Sequence, residues 1–136
     1  MAAQEQLTIE AAQQIIQEAQ EAFAQHDVAR ILRGFAPDIV IRYADFPEMR
    51  GLEQAKTWLE ARFKRQKNYR LHKTLRTVMG DTIGGWFEGQ WEDAVTKKQM
   101  QSRGCEFLAM QDGKIVRWDC TSNAWEVGGG PTTPIV

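Results

Sequence analysis

The chain has little of several features that assign a function directly. Its 136 residues include two cysteines and two histidines, and His26 and His72 are far apart, so no metal-ligand spacing stands out. Lys and Arg number 17 against 18 Asp and Glu, which argues against a nucleic-acid-binding protein because such proteins usually carry a basic stripe. The uninterrupted apolar runs are only a few residues long, so we expect no membrane span.

Other absences bound the location and the cofactor. The N-terminal segment MAAQEQLTIEAAQQ lacks a basic region followed by an apolar region, so we expect no secretory signal and a cytoplasmic protein. The two cysteines are then expected to be thiols. The motifs GGW and GGGP lack the strand and helix context of a phosphate loop. We therefore predict no metal, nucleotide or other cofactor.

What the chain does have is one amphipathic pattern after another. Thr8 begins a helical pattern that runs to about Gln25, and Asp27 begins a second, short one, VARILRGF. DIVIRY then alternates as a strand, and residues 52–66 repeat apolar residues at helical spacing. The rest is typical of four long strands. This order predicts an α+β fold, with three N-terminal helices packed on a curved, mostly antiparallel sheet. We expect one domain at residues 1–127 and a flexible tail at 128–136.

Two dipeptides predict tight hairpins and hence strand registers. If Asp112-Gly113 is a two-residue loop, Phe107 lies opposite Trp118 and Cys105 lies opposite Cys120. If Gly80-Asp81 is the other loop, opposite pairs include His72 with Gly89 on one side and Lys73 with Glu88 on the reverse.

The connection AVTKKQ leaves two registers open. A three-residue loop places Trp91 opposite Arg103 and Phe87 opposite Phe107. A four-residue loop pairs Glu92 with Arg103 and turns Trp91 outward. We prefer the first because it keeps the aromatic side chains on one face, although a slip of one residue inverts the whole strand.

These registers predict which side chains share each face of the sheet. The concave face facing the helices is expected to carry His72, Phe87, Gly89, Trp91, Arg103, Cys105, Phe107, Trp118, Cys120 and Ser122. The convex face is expected to carry an apolar patch, which we interpret as a homodimer surface, of Trp86, Leu108, Met110 and Ile115. An ion-pair network on that outer side is expected from Glu106, Arg117 and Asp119.

The three helices together with FAPDIVIRYADFPEMRG, NYRLHKTL and DGKIVRWDCTSNAW resemble the nuclear-transport-factor-2-like superfamily. Within that superfamily the chain is similar to the SnoaL-like branch and its uncharacterised relatives, over roughly residues 8–127. The resemblance implies a cone that opens between the helices and the curved sheet. It does not fix the function, because this fold hosts isomerases, cyclases, hydratases, hydrolases and plain binding domains.

The resemblance also allows individual positions to be compared with two family patterns. The ketosteroid-isomerase pattern places an Asp base nearest to Tyr43, with Asp45 two residues on, and an oxyanion-hole acid nearest to Phe107. This sequence has a tyrosine and a phenylalanine at those two positions instead of acidic residues, which argues against steroid isomerisation. SnoaL-type cyclases use a His/Asp pair, which here only His72, Asp45 and Asp119 are able to supply.

We interpret His72, Asp45 and Tyr43 as candidate catalytic residues. His72 is a candidate general base oriented by Asp45, and the Tyr43 hydroxyl is a candidate to hold an oxyanion. The structural alternatives are a strand or surface histidine, a turn-forming aspartate before Pro47, and a core tyrosine bonded to the backbone.

Arg103 is the most informative candidate for ligand binding. A guanidinium on an apolar inward face needs an anion or an aromatic partner, so it indicates either a ligand carboxylate or enolate or a contact with Trp91 or Trp118. The other candidate ligand-binding residues, for which ordinary packing is the alternative, are Phe87, Trp91, Cys105, Phe107, Trp118, Cys120 and Ser122. A disulfide between the two cysteines is geometrically open, and two buried thiols are the alternative.

The function hypothesis is a small-molecule cone. We expect an apolar, aromatic or polyketide-like ligand bearing an oxygen anion, with cofactor-free acid–base chemistry of the isomerase or cyclase type. The alternative is a non-catalytic dimeric module for ligand binding or association. An open cavity of a few hundred Å³ favours the first hypothesis, and a cone plugged by Phe107 and Trp118 favours the second.

Overall fold

Three helices form as the amphipathic patterns predict. The computed structural model describes residues 6–136, with α1 at Ile9–Ala24, α2 at Val28–Arg33 and α3 at Gly51–Arg65. The Thr8 hydroxyl accepts the Ala11 N–H at 3.1 Å, and the Asp27 carboxylate accepts the Arg30 N–H at 3.0 Å. These side chains satisfy helix N–H groups that have no partner inside the helix.

Six strands form one sheet. They are β1 (Phe35–Tyr43), β2 (Met49–Arg50), β3 (Gln66–Met79), β4 (Thr82–Asp93), β5 (Gln99–Gln111) and β6 (Lys114–Glu126). Their order across the sheet is β2-β1-β6-β5-β4-β3, and only the β1–β6 pair is parallel. The predicted α+β fold, with N-terminal helices packed on a mostly antiparallel sheet, is confirmed.

The core lies between the helices and the inner face of the sheet. Its buried side chains come from all three helices and every long strand, and they include Ile16, Phe23, Ile31, Ile39, Ile41, Leu59, Phe63, Ile83, Phe87, Leu108 and Trp118. The sheet therefore has one inner face toward the helices and one outer face away from them, and the register decides which side chains reach the inside.

The register of β3 with β4 departs from the prediction at a β-bulge. The predicted pairing holds next to the Gly80-Asp81 turn, where Met79 pairs with Thr82 and Thr77 with Gly84. Arg76 has no partner, and the pairs from Leu75–Gly85 to Arg70–Gln90 are shifted by one residue. His72 consequently pairs with Glu88 on the outer face, so its predicted inward placement is wrong, as is the predicted Lys73–Glu88 pair.

The register of β4 with β5 follows neither loop that we considered. The turn lies earlier in the sequence, at residues 94–98, and Trp91 lies opposite Met100 while Phe87 lies opposite Gly104. The side chains of β4 face as predicted, but those of β5 are inverted. Arg103, Cys105 and Phe107 therefore lie on the outer face, which corrects their predicted inward placement.

The hairpin of β5 and β6 also contains a bulge. Met110 pairs with Ile115 as predicted, and Val116 is then skipped, so Leu108 rather than Phe107 lies opposite Trp118. Cys120 lies opposite Glu106 instead of Cys105. The inversion of β5 and the bulge in β6 together leave Trp118 and Cys120 facing inward, as predicted.

The predicted convex patch is wrong for three of its four residues. Leu108, Met110 and Ile115 are at most 7% exposed and face the helices. Trp86 alone lies on the outer face, where its ring contacts the Arg76 guanidinium. The predicted outer ion-pair network is corrected in the same way, because Glu106 points inward while Arg117 and Asp119 pair outside at 2.8 Å.

The last residues form neither helix nor strand. After Glu126 the chain turns, and residues 129–136 are exposed. The Asn123 amide donates to the Thr133 hydroxyl at 3.2 Å. The domain boundary at residue 127 and the flexibility of the tail remain predictions, and residues 1–5 of the predicted domain lie outside the described residues. None of the helices in residues 6–136 is long and apolar enough to cross a membrane.

Candidate functional site

A cavity of about 600 Å³ opens between α3, the end of β1 and the ends of β4, β5 and β6. We call it the mouth cavity. Its lining combines aromatic and polar side chains, which are Tyr43, Asp45, Phe46, Trp58, Arg62, Arg65, Trp91, Asp93, Ser102 and Ser122. A concave, largely apolar surface with a few convergent polar groups is the usual form of a small-molecule site.

Arg62 of α3 brings a guanidinium into the mouth cavity. Its Nε donates to the Gln66 side chain at 2.9 Å, and its Nη2 donates to the Tyr69 hydroxyl at 3.3 Å. Its Nη1 is buried and has no hydrogen-bond partner. Within residues 6–136 no carboxylate forms an ion pair with it. The cavity wall thus carries a cation without a counter-charge.

Aromatic rings surround this guanidinium. Its central carbon lies 5.0 to 5.8 Å from four ring centroids, those of Tyr43, Trp58, Phe23 and Tyr69. Ring faces carry negative charge density, so they attract the cation and partly replace the water it loses. The rings also fix the direction of the guanidinium, because Tyr43 and Trp58 pack against each other at 5.0 Å.

Sequence reasoning did not identify Arg62. The signal that was available is its spacing from Trp58, since residues four apart lie on the same face of a helix. Arg62 lies in the last turn of α3 with Lys64 and Arg65, where basic side chains are ordinarily explained by their favourable interaction with the helix dipole.

The deep end of the mouth cavity is nearly filled. Behind Arg62 only a void of about 10 Å³ remains, and it is bounded by Phe23, Phe87 and Trp118, among others. Trp118 is 3% exposed and packs edge-on against Phe23 at 5.7 Å. The cone is therefore open at the mouth and closed at depth, and Phe107 takes no part in closing it.

A buried ion pair lies beside Trp118. The Lys73 ammonium of β3 contacts a Glu106 carboxylate oxygen at 2.5 Å, and the two side chains are 6% and 1% exposed. The other Glu106 oxygen accepts the indole N–H of Trp118 at 3.0 Å. An acidic side chain is thus present on the inner face one residue before Phe107, and it is already paired.

Several sequence-predicted site residues do lie on the inner side. Phe87, Trp118 and Cys120 are buried there. Tyr43, Trp91 and Ser122 line the mouth cavity itself, and Asp45 is exposed at its rim. The structure brings these residues together without testing what they do, so their functional roles remain predictions.

Two of these groups have shifted pKa values. Burial raises the pKa of the Tyr43 hydroxyl, and the nearby Arg62 charge opposes that rise. Burial, with the Glu106 carboxylate adding to it, raises the pKa of the Cys120 thiol to about 12. Cys120 is therefore a neutral thiol at physiological pH, which does not suit a nucleophile.

The remaining predicted site residues lie across the sheet. His72 is exposed in a groove of the outer face that also contains Arg103 and Glu88. The Arg103 guanidinium lies 5.3 Å from the Trp125 ring, and Phe107 is 51% exposed. Neither His72 nor Arg103 is part of the mouth cavity, so the His72–Asp45 pair proposed from the sequence is not assembled.

The cysteines and the acidic groups of residues 6–136 form neither a disulfide nor a metal-ligand cluster. Cys105 and Cys120 are both free, and they lie on opposite faces of the sheet, so the cross-strand disulfide that we left open is not present. In the part of the chain from residue 6 onward, no three His, Cys, Asp or Glu side chains are grouped as a metal site requires.

The fold and the mouth cavity define the class of the protein as a cone-shaped α+β domain with a cavity between helices and sheet. Within that class, residues 16–118 match the model of the SnoaL-like domain, and the chain belongs to this family of the nuclear-transport-factor-2-like superfamily. No curated protein matches the chain.

Solved structures share the architecture at low sequence identity. A SnoaL-like protein of Jannaschia sp. CCS1, proposed to be a polyketide cyclase, has a TM-score of 0.76 at 11% identity and covers 89% of this chain and 92% of its own. SalBIII, an epoxide hydrolase/cyclase-like enzyme with a role in pyran ring formation in salinomycin, has a TM-score of 0.76 at 10% identity, covering 86% and 96%. TerC, co-crystallised with polyporic acid, has a TM-score of 0.72 at 17% identity, covering 82% and 91%. At these identities the likeness shows the fold alone.

Proposed function

We propose that the mouth cavity binds a small apolar molecule, aromatic or polyketide-like, that carries an anionic oxygen. The observation that carries this proposal is the Arg62 guanidinium, with its buried Nη1 and no carboxylate partner in the described residues. The sequence led us to expect an inward guanidinium from Arg103. The same chemistry is proposed here for Arg62.

A ligand anion suits this position for electrostatic reasons. Arginine stays protonated in proteins, so its burial cannot be relieved by loss of a proton. A buried charge is costly unless it is paired, and ring faces compensate it only in part. A carboxylate or enolate oxygen that contacts the guanidinium from the mouth cavity would form a charge-assisted hydrogen bond, which is roughly twice as strong as a neutral one.

The walls of the mouth cavity suit the body of such a ligand. Phe46 and Trp58 pack edge-on at 5.9 Å on one side, and Trp91 lines the other. Rings of this kind favour flat apolar molecules. Ser102 and Ser122 offer hydroxyls to a second polar group of the ligand. TerC, a fold relative, was crystallised with polyporic acid, and this supports an acidic aromatic ligand here.

Acid–base chemistry of the isomerase or cyclase type is the finer part of the proposal. The Tyr43 hydroxyl and Arg62 would stabilise an enolate oxygen, and the Asp45 carboxylate at the rim would take or return the proton. His72 is left out because it lies on the outer face. No cofactor is invoked, and the expectation that none is needed stays a prediction.

The binding experiment compares an acid with its neutral ester. 2-Naphthoate and methyl 2-naphthoate would be titrated into the wild type, Arg62→Met and the matched control Arg103→Met, with tryptophan fluorescence as the signal. We expect Arg62→Met to weaken naphthoate binding by about 10- to 100-fold, because a hydrogen bond to a charged group contributes about 1.5–3 kcal/mol. Ester binding and the Arg103→Met protein should change little. Equal naphthoate affinity in Arg62→Met and the wild type would rule out the proposal.

A second candidate function is a non-catalytic binding module. It is favoured because the buried acid and the buried thiol are unsuited to catalysis. Glu106 is paired with Lys73 and Trp118, and the pKa of the Cys120 thiol is about 12. Exchange of the acidic protons of 2-tetralone in D₂O, followed by NMR, separates the two. Exchange above background that Asp45→Asn abolishes supports the enzyme, and naphthoate binding without exchange supports the module.

A homodimer stays part of the proposal, with a corrected surface. Trp86 is the member of the predicted patch that remains after Leu108, Met110 and Ile115 are removed, and the 51% exposed Phe107 lies on the same outer face. Exposed aromatic side chains of this kind mark interfaces. Sedimentation analysis should find a dimer that Phe107→Glu dissociates, and a monomeric wild type would contradict this. A cytoplasmic location also remains a prediction.

A further inference from the structure

A second cavity, of about 400 Å³, lies at the opposite end of the cone from the mouth. It is enclosed by α1, α2, the start of β1 and the hairpin ends of β5 and β6. We call it the rear cavity. Its lining includes the apolar side chains of Ala11, Ala19, Phe35, Leu108, Met110 and Ile115.

A partition separates the rear cavity from the mouth cavity. Phe23, Trp118, Lys73 and Glu106 line the rear cavity on one side and the void behind Arg62 on the other. That void holds only about 10 Å³, so no ligand of the size proposed for the mouth reaches the rear. Trp118 lines the rear cavity and this void, and the rear cavity and the mouth cavity have no lining residue in common.

The rear cavity exists because α1 presents small side chains to it. Ala11, Ala19 and Ala22 face the hairpin end of the sheet, where Leu108, Met110 and Ile115 form the opposite wall. Apolar side chains across such a gap lose the dispersion contacts that a packed core would provide. An apolar molecule that fills the gap restores them, and apolar cavities of comparable or smaller size are known to take up small aromatic compounds.

The charges around the rear cavity are paired, which determines the chemistry of its ligand. At the rim, the Arg30 guanidinium contacts Glu18 at 2.5 Å and Glu21 at 3.0 Å. At the inner wall, Lys73 is paired with Glu106. An anionic ligand would meet no cation without a partner here, in contrast to Arg62 in the mouth. The lining therefore favours a neutral ligand.

We propose that the rear cavity is a second, separate binding site for a neutral aromatic molecule of two or three rings. Phe23, Phe35 and Trp118 supply ring contacts, and the volume lies within the range of pockets that hold small organic ligands. This proposal does not depend on the anion site at Arg62.

The test uses N-phenyl-1-naphthylamine, a neutral probe whose fluorescence rises in apolar surroundings. Ala19→Phe fills the rear cavity, and Ala61→Phe adds the same side chain to the mouth cavity, which Ala61 lines. We expect the wild type to bind the probe, Ala19→Phe to weaken binding by about tenfold or more, and Ala61→Phe to leave it within about twofold.

Opposite outcomes would overturn the proposal. Probe binding that Ala61→Phe abolishes and Ala19→Phe preserves would assign the probe to the mouth, and an unresponsive wild type would leave no site. Thermal unfolding checks that each variant is folded, and Ala11→Phe replaces Ala19→Phe if the latter is not.

A competition experiment separates this proposal from the proposed function. An excess of 2-naphthoate should leave the bound probe in place, and displacement by naphthoate would contradict a separate site. Naphthoate that fails to bind at all, beside a probe that Ala19→Phe excludes, would refute the anion site at Arg62 and support the rear site.

Discussion

Glu106 has a different partner for each of its carboxylate oxygens. Lys73 contacts one at 2.5 Å and the indole of Trp118 the other at 3.0 Å. Removing one member of a buried pair leaves the other charge uncompensated, while replacing both by apolar side chains is often neutral or stabilising. The pair is therefore expected to hold the partition between the two cavities in one arrangement rather than to add much stability.

A double-variant series tests this view of the pair. Glu106→Gln should lower the free energy of unfolding by about 3–5 kcal/mol, because the Lys73 ammonium stays buried without its counter-charge. The double variant Lys73→Met/Glu106→Leu should recover most of that loss. Urea denaturation measures both, and Glu60→Gln, which breaks an exposed pair with Lys56, is the control. A Glu106→Gln protein as stable as the control would contradict the argument.

The two thiols should react at very different rates. Burial raises the pKa of Cys120 to about 12, so almost no thiolate is present at pH 8, and the side chain is only 8% exposed. Cys105 is half-buried on the outer face. Iodoacetamide at pH 8, followed by peptide mass spectrometry, should label Cys105 first and Cys120 only after denaturant is added. Equal labelling of both in the native protein would show that the β5–β6 register is different.

At the scale of elements, local patterns predicted the helices and turns but not the bulges. The turn dipeptides Gly80-Asp81 and Asp112-Gly113 lie where the sequence placed them. The bulge at Arg76 then reversed the faces of the β3 side chains from Leu75 back to Arg70, relative to the prediction. Its signal was the pair Gly84-Gly85 inside β4, since a Cβ on Gly84 would lie 2.6 Å from Thr77, and glycines within a strand often mark a bulge. We find no comparable signal for the bulge at Val116.

The predicted register of the loop between β4 and β5 was wrong for another local reason. The Asp93 carboxylate accepts the Val95 N–H at 3.1 Å and the Thr96 hydroxyl at 3.0 Å, which stabilises a longer loop than a tight hairpin. It also receives two hydrogen bonds of 2.9 Å from Arg65 of α3. This second contact joins residues distant in sequence, so strand alternation alone could not reveal it.

The Asp93–Arg65 contact predicts sensitivity to acid. The Arg65 guanidinium holds the pKa of Asp93 well below its usual range, against the opposing effect of burial. A depressed folded-state pKa adds stability above the unfolded pKa of about 3.9, and this is lost as the pH falls through the folded value. Asp93→Asn should therefore have a lower free energy of unfolding than the wild type at pH 7. This difference between the two proteins should become smaller below about pH 4. Denaturant titrations at several pH values measure it, with exposed Asp38→Asn as the control. A difference in free energy of unfolding that does not change with pH would show that it does not arise from the ionised Asp93 carboxylate.

At the scale of the whole molecule, element order and periodicity were sufficient for the fold. They were less informative about the site. Tyr43, Trp91, Trp118 and Ser122 were correctly placed on the inner side because β1, β4 and β6 keep the faces that their alternation indicates. Arg62 was missed because a helical arginine four residues from a tryptophan resembles an ordinary solvated one until the sheet covers it.

Two separate cavities in one domain predict additive stabilisation by their ligands. A ligand that binds only the folded state at 100 times its Kd adds about 2.7 kcal/mol to the free energy of unfolding. 2-Naphthoate should stabilise Arg62→Met less than the wild type, whereas N-phenyl-1-naphthylamine should stabilise these two proteins equally and Ala19→Phe less. Because the sites share only the partition around Trp118, both ligands together should give close to the sum of their separate effects. Thermal unfolding with each ligand and with both measures this. A combined effect no larger than the better single ligand would mean that the two molecules compete for one cavity.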